Sequence, residues 1–300
     1  MTEKSENTPN FITQVTELLA ERHRSLDDMC HMKFADEPLP QQALVRELVE
    51  LCRAVIFPGF FGTGDINSDN LDDILNKSCV RLHEILVNQI TAGLTFTSPC
   101  SCSGLAEIRR KADEIACRFM TELPLLKDTL HTDVEAIFNG DPAAQNYQEV
   151  IYCYPCVKAV SAHRIAHFLH TAGVPVIPRM ISEMAHSETG IDIHPAATIG
   201  HHFAIDHGTG VVIGETTVIG HHVKLYQGVT LGARSFPTDE NGKPIKGIPR
   251  HPIIGNNVII YSNATILGRI TIGDNAVIGG NVWLTHDVPQ GGRILQAKTQ

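Results

Sequence analysis

The chain has 300 residues, 43% of them hydrophobic and 19% charged, with a formal net charge of −9 at pH 7. That balance excludes a general nucleic-acid binder, which would carry a basic face. No apolar run approaches the roughly 20 residues a bilayer span needs, and the polar start MTEKSENTPN lacks a signal-peptide core. A cytoplasmic protein is expected, with no membrane or nucleic-acid partner.

All 8 cysteines fall in the first 156 residues. Cys153 and Cys156 form a lone CxxC, and Cys100 and Cys102 a CxC. With no second CxxC to complete a zinc set, these read as reduced, mostly buried thiols, and no metal is expected.

In chain order, residues 1–10 read as a polar tail and 11–190 as an α-helical domain. Phe11, Val15, Leu18 and Leu19 recur at helical spacing, as do Leu44, Leu48, Leu51 and Val55. Leu71, Ile74, Leu82, Ile85 and Leu86 continue the pattern up to a Ser/Cys-rich break at 98–103. A helix through Leu105, Ile108, Ile115 and Phe119 is expected next, then a separate one over roughly 125–139 that stops at Gly140. Asp141-Pro142 then reads as a cap followed by proline at the first helical position. Two more helices are expected near 156–171 and 176–187, ending at Gly173 and Gly190.

From about 191 the period changes. Ile254, Ile260, Ile266, Ile272, Ile278 and Leu284 are six residues apart, and Val258, Ala264, Ile270, Ala276, Val282 and Val288 follow each by four. Six residues turn an α-helix by roughly 600°, which scatters such a stripe. A triangular parallel β-helix fits: three six-residue units per coil, eighteen residues in all, one aliphatic side chain per unit pointing inward. It is expected over 191–290, with a short C-terminal tail at 291–300.

The same track appears at Ile193, Ile199 and Ile205, then at Ile213, Ile219, Leu225 and Leu231. The step from Ile205 to Ile213 is eight. A continuous track through Ile205, Val211, Thr217, Val223 and Val229 also exists. The slipped track is preferred because Ile-Gly recurs at Ile199, Ile213, Ile219, Ile254 and Ile272. It places two extra residues within Asp206-His207-Gly208-Thr209-Gly210, a widened corner that would push polar side chains out of the wall. A second interruption, 233–250, carries Arg234, Lys243, Lys246 and Arg250 against Asp239 and Glu240. It reads as a basic active-site flap, since repeat arrays carry function on their insertions.

The β region resembles the left-handed β-helix acyltransferases and, more narrowly, the serine O-acetyltransferase family. The resemblance rests on Asp192-Ile193-His194-Pro195, Asp206-His207-Gly208-Thr209-Gly210, Gly214-Glu215-Thr216, Gly228-Val229-Thr230-Leu231-Gly232 and Arg250-His251-Pro252. Asp141-Pro142-Ala143 and Arg164-Ile165-Ala166-His167 extend it upstream. It implies an α+β protein, helical domain first and left-handed β-helix second. The implied reaction moves acetyl from acetyl-CoA, the co-substrate, to the L-serine hydroxyl in cysteine biosynthesis.

A hydroxyl attacks a thioester only when a base takes its proton, and histidine suits that task. The resemblance makes His207 the base and Asp192 the carboxylate that orients it; otherwise Asp192 is a turn cap. It gives Asp206 and Asp141 to the serine ammonium, and Arg250 and His251 to the carboxylate, as Arg geometry favours. It places coenzyme A along Gly232, Ala233, Ser262 and Gly280, in the groove between β-helices of a homotrimer. Cationic Lys243, Lys246 or Arg269 could meet its phosphates. Since no cysteine follows 156, direct attack replaces an acetyl-cysteine intermediate. A trimer or a dimer of trimers is expected. A complex with O-acetylserine sulfhydrylase is not, because the chain ends at Gln300 without the isoleucine such relatives use.

The remaining histidines, including His201-His202 and His221-His222, read as surface or corner residues. A β-helix carbonic anhydrase could use His202 and His207, but Met184, Thr189, Gly220 and Leu225 occupy the positions where a third ligand would stand. A sugar or antibiotic acceptor is the nearer alternative; the Asp141, Asp206 and Arg250 set suits a zwitterion better. A non-catalytic scaffold would show no acetyl-CoA turnover.

Overall fold

The structure, a computed structural model, describes residues 8–24, 38–62, 65–97, 104–235 and 237–296. Cys30, Cys100, Cys102 and the break at 98–103 lie outside the described residues. The chain divides into two compact units, Met1–Glu37 and Pro38–Gln300. The first holds α1 (Thr8–Arg24), whose apolar stripe of Phe11, Val15, Leu18 and Leu19 is exposed.

The second unit starts with α2 (Gln42–Ile56), α3 (Leu71–Thr97), α4 (Leu105–Gly140), α5 (Tyr147–Cys153), α6 (Pro155–Thr171) and α7 (Ile177–Thr189). Helix α2 buries Val45, Leu48, Val49, Cys52 and Ile56, one stripe at 3.6-residue spacing. Where two helices are expected, α4 runs unbroken for 36 residues through Pro124. Proline removes one ladder bond, but Phe119, Leu123 and Leu130 are buried on both sides of it and hold the axis. Among the described helices, none is long and apolar enough to cross a membrane.

Asp141 is not the expected N-cap. It closes α4, its N–H donating to Ile137 O at 3.1 Å. Its Oδ1 accepts from Ala143 N at 2.8 Å, a turn that spans Pro142. The cap of the following helix, α5, is Asn146, whose Oδ1 accepts from Glu149 N at 2.8 Å. An Asp-Pro pair serves either turn, and Asn146 won because its downstream neighbours can helix.

Fourteen short strands follow among the described residues: β1 (Asp192–Ile193), β2 (Thr198–Ile199), β3 (Ala204–Asp206), β4 (Val212–Ile213), β5 (Val218–Ile219), β6 (Lys224–Tyr226), β7 (Thr230–Gly232), β8 (Ile253–Ile254), β9 (Ile259–Ile260), β10 (Thr265–Leu267), β11 (Thr271–Ile272), β12 (Val277–Ile278), β13 (Trp283–Leu284) and β14 (Arg293–Ile294). They form three parallel sheets, β1-β4-β7-β10-β13, β2-β5-β8-β11 and β3-β6-β9-β12-β14, the three faces of a prism. The last strand, β14, lies past the expected end of the β-helix at 290.

Register fixes the coil length. Val212 pairs with Thr230 and Thr265 with Trp283, 18 residues apart. Asp192 pairs with Val212, 20 apart, and Thr230 with Thr265, 35 apart. Eighteen is the length the six-residue beat predicts. The excess of two in the first coil is the predicted slip, and the excess of seventeen falls within the interruption at 233–250. One expectation needs correction: two side chains per unit point inward. Ile254, Ile260 and Ile266 are buried, but so are Val258, Ala264 and Ala276. The first set sits mid-strand and the second fills the corner before the next strand. Each buried Ile, Leu or Val among them is worth about 1.5–3 kcal/mol, and each alanine less.

The helices dock on the first coil through a buried ion pair. Arg164 of α6 donates to Asp133 Oδ2 at 2.6 Å and Oδ1 at 2.8 Å, and to the carbonyls of Ile199 and Gly200 at 3.2 and 2.8 Å. Asp133 Oδ1 also accepts from Phe203 N at 2.9 Å. Burial raises the Asp133 carboxyl from its usual range, against the pull of Arg164. Removing one partner of such a pair strands the other charge, which typically costs about 3–5 kcal/mol. Asp133→Ala is therefore expected to lower the stability of the chain by that amount in a denaturant titration. An unchanged midpoint and slope would show that the clamp does not hold the helices to the coil.

Candidate active site

The excess of the first coil can be assigned to particular residues. Asp206 pairs with Tyr226. On the far side of the corner, Gly228 N donates to Thr209 O at 3.0 Å. The equivalent bonds one and two coils on are Asn263 N to Gln227 O and Asn281 N to Ser262 O, both 2.9 Å. Thr209, Gln227, Ser262 and Gly280 therefore form one column, and the two residues without a place in it are His207 and Gly208. Both are left-handed, with φ of 57° and 97°. A Cβ on Gly208 would lie 2.5 Å from Ile191 Cδ1, so only glycine fits beneath the bulge. The imidazole is extruded, its side chain 75% exposed.

Four side chains gather beside it. Asp206 Oδ1 lies 3.7 Å from His207 Nε2, and Asp206 Oδ2 lies 2.8 Å from Lys224 Nζ. Lys224 also donates to Gly140 O at 2.6 Å, which ties the β-helix to the end of α4. The next residue, Asp141, accepts from the Tyr154 hydroxyl at 2.6 Å. That hydrogen bond holds the Asp141 carboxyl below its usual range and pushes the Tyr154 phenol up to about 12.

The structure thus brings Asp141, Asp206 and His207 together, and the reversal at His207 lets adjacent residues share one side of the wall. Asp192 stands at the same corner, at the start of β1 over Val212. Among the described residues it makes no hydrogen bond or ion pair with His207; the carboxylate nearest the ring is Asp206. The His207 ring points outward in this structure, its side chain 75% exposed, so the expected contact with Asp192 is not formed.

Arg250 and His251 lie elsewhere, at the other end of the face formed by β1, β4 and β7. Arg250 Nη2 donates to Glu215 Oε2 at 2.5 Å, and its backbone N–H to Thr216 Oγ1 at 2.9 Å. His251 is buried, and its Nδ1 accepts from Thr216 N at 3.0 Å. That bond fixes the tautomer: the ring proton sits on Nε2, which is left as the donor. Burial, with the Arg250 charge beside it, lowers the His251 ring to about 4, so it is neutral near pH 7. Arg269 does not stand free for phosphate: its Nη1 donates to Thr216 O at 2.6 Å and His251 O at 3.0 Å.

The expected coenzyme positions split the same way. Ser262 and Gly280 continue the column under Thr209, and a Cβ on Gly280 would lie 3.1 Å from Ser262 O. Gly232 ends β7 on the Arg250 side, and Ala233 opens the inserted loop. The loop is exposed and turns on itself, Asp239 Oδ1 accepting from Asn241 N and Lys243 N at 2.9 Å.

Sequence reading missed Tyr154, Lys224, Glu215 and Thr216 as contributors. Lys224 had a signal: with the twenty-residue coil accepted, it is diagonal to Asp206 on the neighbouring strand, on the same side. Tyr154 had none. The CxxC cysteines separate onto α5 and α6, Cys153 exposed and Cys156 buried, its thiol pushed up to about 12 by burial. His201 and His202 stack on His221 and His222, with centroids 5.3 and 4.2 Å apart, as corner residues.

Fold and site define a transferase of the hexapeptide β-helix class, and the model of the bacterial transferase hexapeptide (six repeats) matches residues 251–286. The chain is 45% identical over 285 residues to the plasmid serine acetyltransferase of Synechococcus elongatus, covering 91% of this chain and 88% of that one. Two solved serine acetyltransferases of Entamoeba histolytica, both in complex with cysteine, share the fold. Isoform 3 does so with a TM-score of 0.71 at 32% identity, over 98% of this chain and 94% of the other. Serine acetyltransferase 1 does so with a TM-score of 0.72 at 34% identity, over 97% and 100%. The chain belongs to the serine acetyltransferase family, and its β-helix is the left-handed one of that family.

Two outcomes follow from the His251 pocket. A Cβ on Gly214 would lie 2.0 Å from His251 Cδ2, so Gly214→Ala is expected to displace the ring and weaken binding of any carboxylate held there, read as a raised KM. The His251 ring is lowered from 6.5 to about 4 in the folded chain. Between those values the unfolded chain binds a proton that the native one does not, so this group's stabilisation is full above 6.5 and declines as pH falls toward 4. Melting temperatures across that window should fall less steeply in His251→Asn than in the parent; equal slopes would contradict this.

Proposed function

We propose that this chain transfers acetyl from acetyl-CoA to the hydroxyl of L-serine, giving O-acetyl-L-serine and CoA, as the first committed step toward cysteine. The observation that carries the reading is the extrusion of His207 beside two carboxylates, in a chain 45% identical to a serine acetyltransferase over 91% of its length. His207 takes the hydroxyl proton as the oxygen attacks the thioester carbonyl, and returns it to the leaving thiolate. Asp192, at the same corner, is placed to stabilise the imidazolium once the ring turns inward on substrate. Asp206 and Asp141 hold the ammonium. Arg250 and the Nε2–H of His251 hold the carboxylate.

One chain cannot hold one serine with all of these. The His207 and Arg250 corners are separated by the width of a face, roughly 15 Å at about 3.3 Å per residue. A threefold assembly, typical of hexapeptide β-helices, would set the His207 corner of one copy against the Arg250 corner of the next. The split of Ser262 and Gly280 from Gly232 and Ala233 supports the same groove for coenzyme A. These grounds support a homotrimer. The cysteine held by the Entamoeba relatives has the ammonium and carboxylate of serine, so cysteine is expected to compete with serine here.

The test is thiol release from acetyl-CoA with L-serine, homoserine, threonine and a galactoside. L-Serine is expected to be clearly preferred, and preference for the sugar would overturn the reading. His207→Ala is expected to lower kcat by roughly 10²–10⁴-fold, the scale of a lost acid–base group.

A further inference from the structure

We propose that Lys224 is a positioning and charge-setting residue of the acceptor pocket: it neutralises one carboxylate beside His207 and so keeps the imidazole in its proton-accepting form. The inference rests on the reading of His207 as the base and deepens it.

Lys224 lies inside the cluster, its side chain only 17% exposed. Its three N–H donors have three receivers: Asp206 Oδ2 at 2.8 Å, Gly140 O at 2.6 Å, and the ring of Tyr226, with its centroid 4.4 Å away. Burial works to lower the ammonium pKa, but the bonds to Asp206 and Tyr226 outweigh it and the net shift is upward. The lysine is thus a fixed cation at neutral pH. Asp206 stands between it and the base, one oxygen on the ammonium and the other 3.7 Å from His207 Nε2.

The groups around His207 are Asp206 on β3, Lys224 and Tyr226 on β6, Asp141 at the end of α4, Tyr154 between α5 and α6, and Asp192 on β1. Glu149 of α5 lies beyond Tyr154. Asp192 is assigned to the imidazolium of the reaction. Of the other two carboxylates, Lys224 cancels one and leaves a single negative charge, matching the single ammonium of the substrate. Without Lys224 the surplus negative charge would favour the protonated ring, and a protonated ring cannot take a proton from serine. The lysine also fixes where Asp141 begins, through the Gly140 carbonyl.

The experiment is the pH dependence of kcat/KM for L-serine in the parent enzyme, Lys224→Met, Lys224→Arg and the double variant Lys224→Met/Asp206→Asn, each checked for folding by thermal melting. In Lys224→Met the acid limb should move to higher pH by about 0.5–1 unit, the size expected for one charge at this range in a half-wet site. Lys224→Arg should keep the parent limb. The double variant removes both charges and should bring the limb back, even if serine binds more weakly. A limb that stays put in Lys224→Met while activity falls would make the lysine merely structural, as would a double variant that fails to restore it. Should Lys224→Met not fold, Asp206→Asn alone decides: its limb should move to lower pH, and an unmoved limb overturns the proposal. The parent reading fails separately, through wild-type turnover in His207→Ala, and takes this inference with it.

Discussion

A parallel β-helix closes only if every coil returns the chain to the same lateral position, and here that takes eighteen residues. The constraint is stiff, because the inward aliphatics of each coil sit directly on those of the coils above and below. A change of one residue would swap the inner and outer sides of every later strand. Additional residues can therefore be absorbed only as outward bulges between strands. Two in the first coil become His207-Gly208 at one corner, and seventeen in the third become the loop that returns at Arg250. The residues proposed for the chemistry sit where the geometry of the coil had no room for the chain.

Extrusion alone would give a solvated histidine. What makes a pocket is the α4 terminus laid against the same corner. Arg164 and Asp133 fix α4 and α6 to the first coil through the carbonyls of Ile199 and Gly200 and the amide of Phe203. Lys224 then pins Gly140, and Tyr154 pins Asp141. The helical half is a side wall of the pocket beside His207, which explains why Asp141, three helices ahead of the first strand, stands beside the bulge.

The period of six and the slip between Ile205 and Ile213 were legible because burial alternates strictly in a solenoid, and a change of phase is a countable event. Register then located Ser262 and Gly280 in the column below Thr209. The helical half was less legible. Pro124 reads as a break, yet packing on both sides carries the helix through it, an energy the local sequence does not display. Asp141-Pro142 reads as an N-cap, because the same dipeptide can end one helix or begin another and only the downstream Asn146 decides. Tyr154 left no trace, since its role depends on a contact between two elements whose relative placement no local pattern encodes. The partner of His207 was not legible either: Asp192 is fifteen residues before it, three short of one coil, and spacing alone does not say which carboxylate an extruded ring will face.

The two ends of the face between β1 and β7 divide the labour by charge. One corner holds Asp141 and Asp206, the other Arg250 and a neutral His251 kept as an Nε2 donor by Thr216. A zwitterion needs both, and the width of the face forbids a single chain from supplying them to one small molecule. Each corner is polarised even after its internal pairing. Lys224 offsets Asp206 and leaves the charges of Asp141 and Asp192; Glu215 offsets Arg250 and leaves the charge of Arg269. Two copies set corner to corner, as proposed, would bring these opposite surpluses together with one amino acid between them. In the proposed threefold assembly the small residues at Gly232 and Ala233 would stand opposite those at Ser262 and Gly280, and close approach there is what a thioester arm laid along the backbone requires.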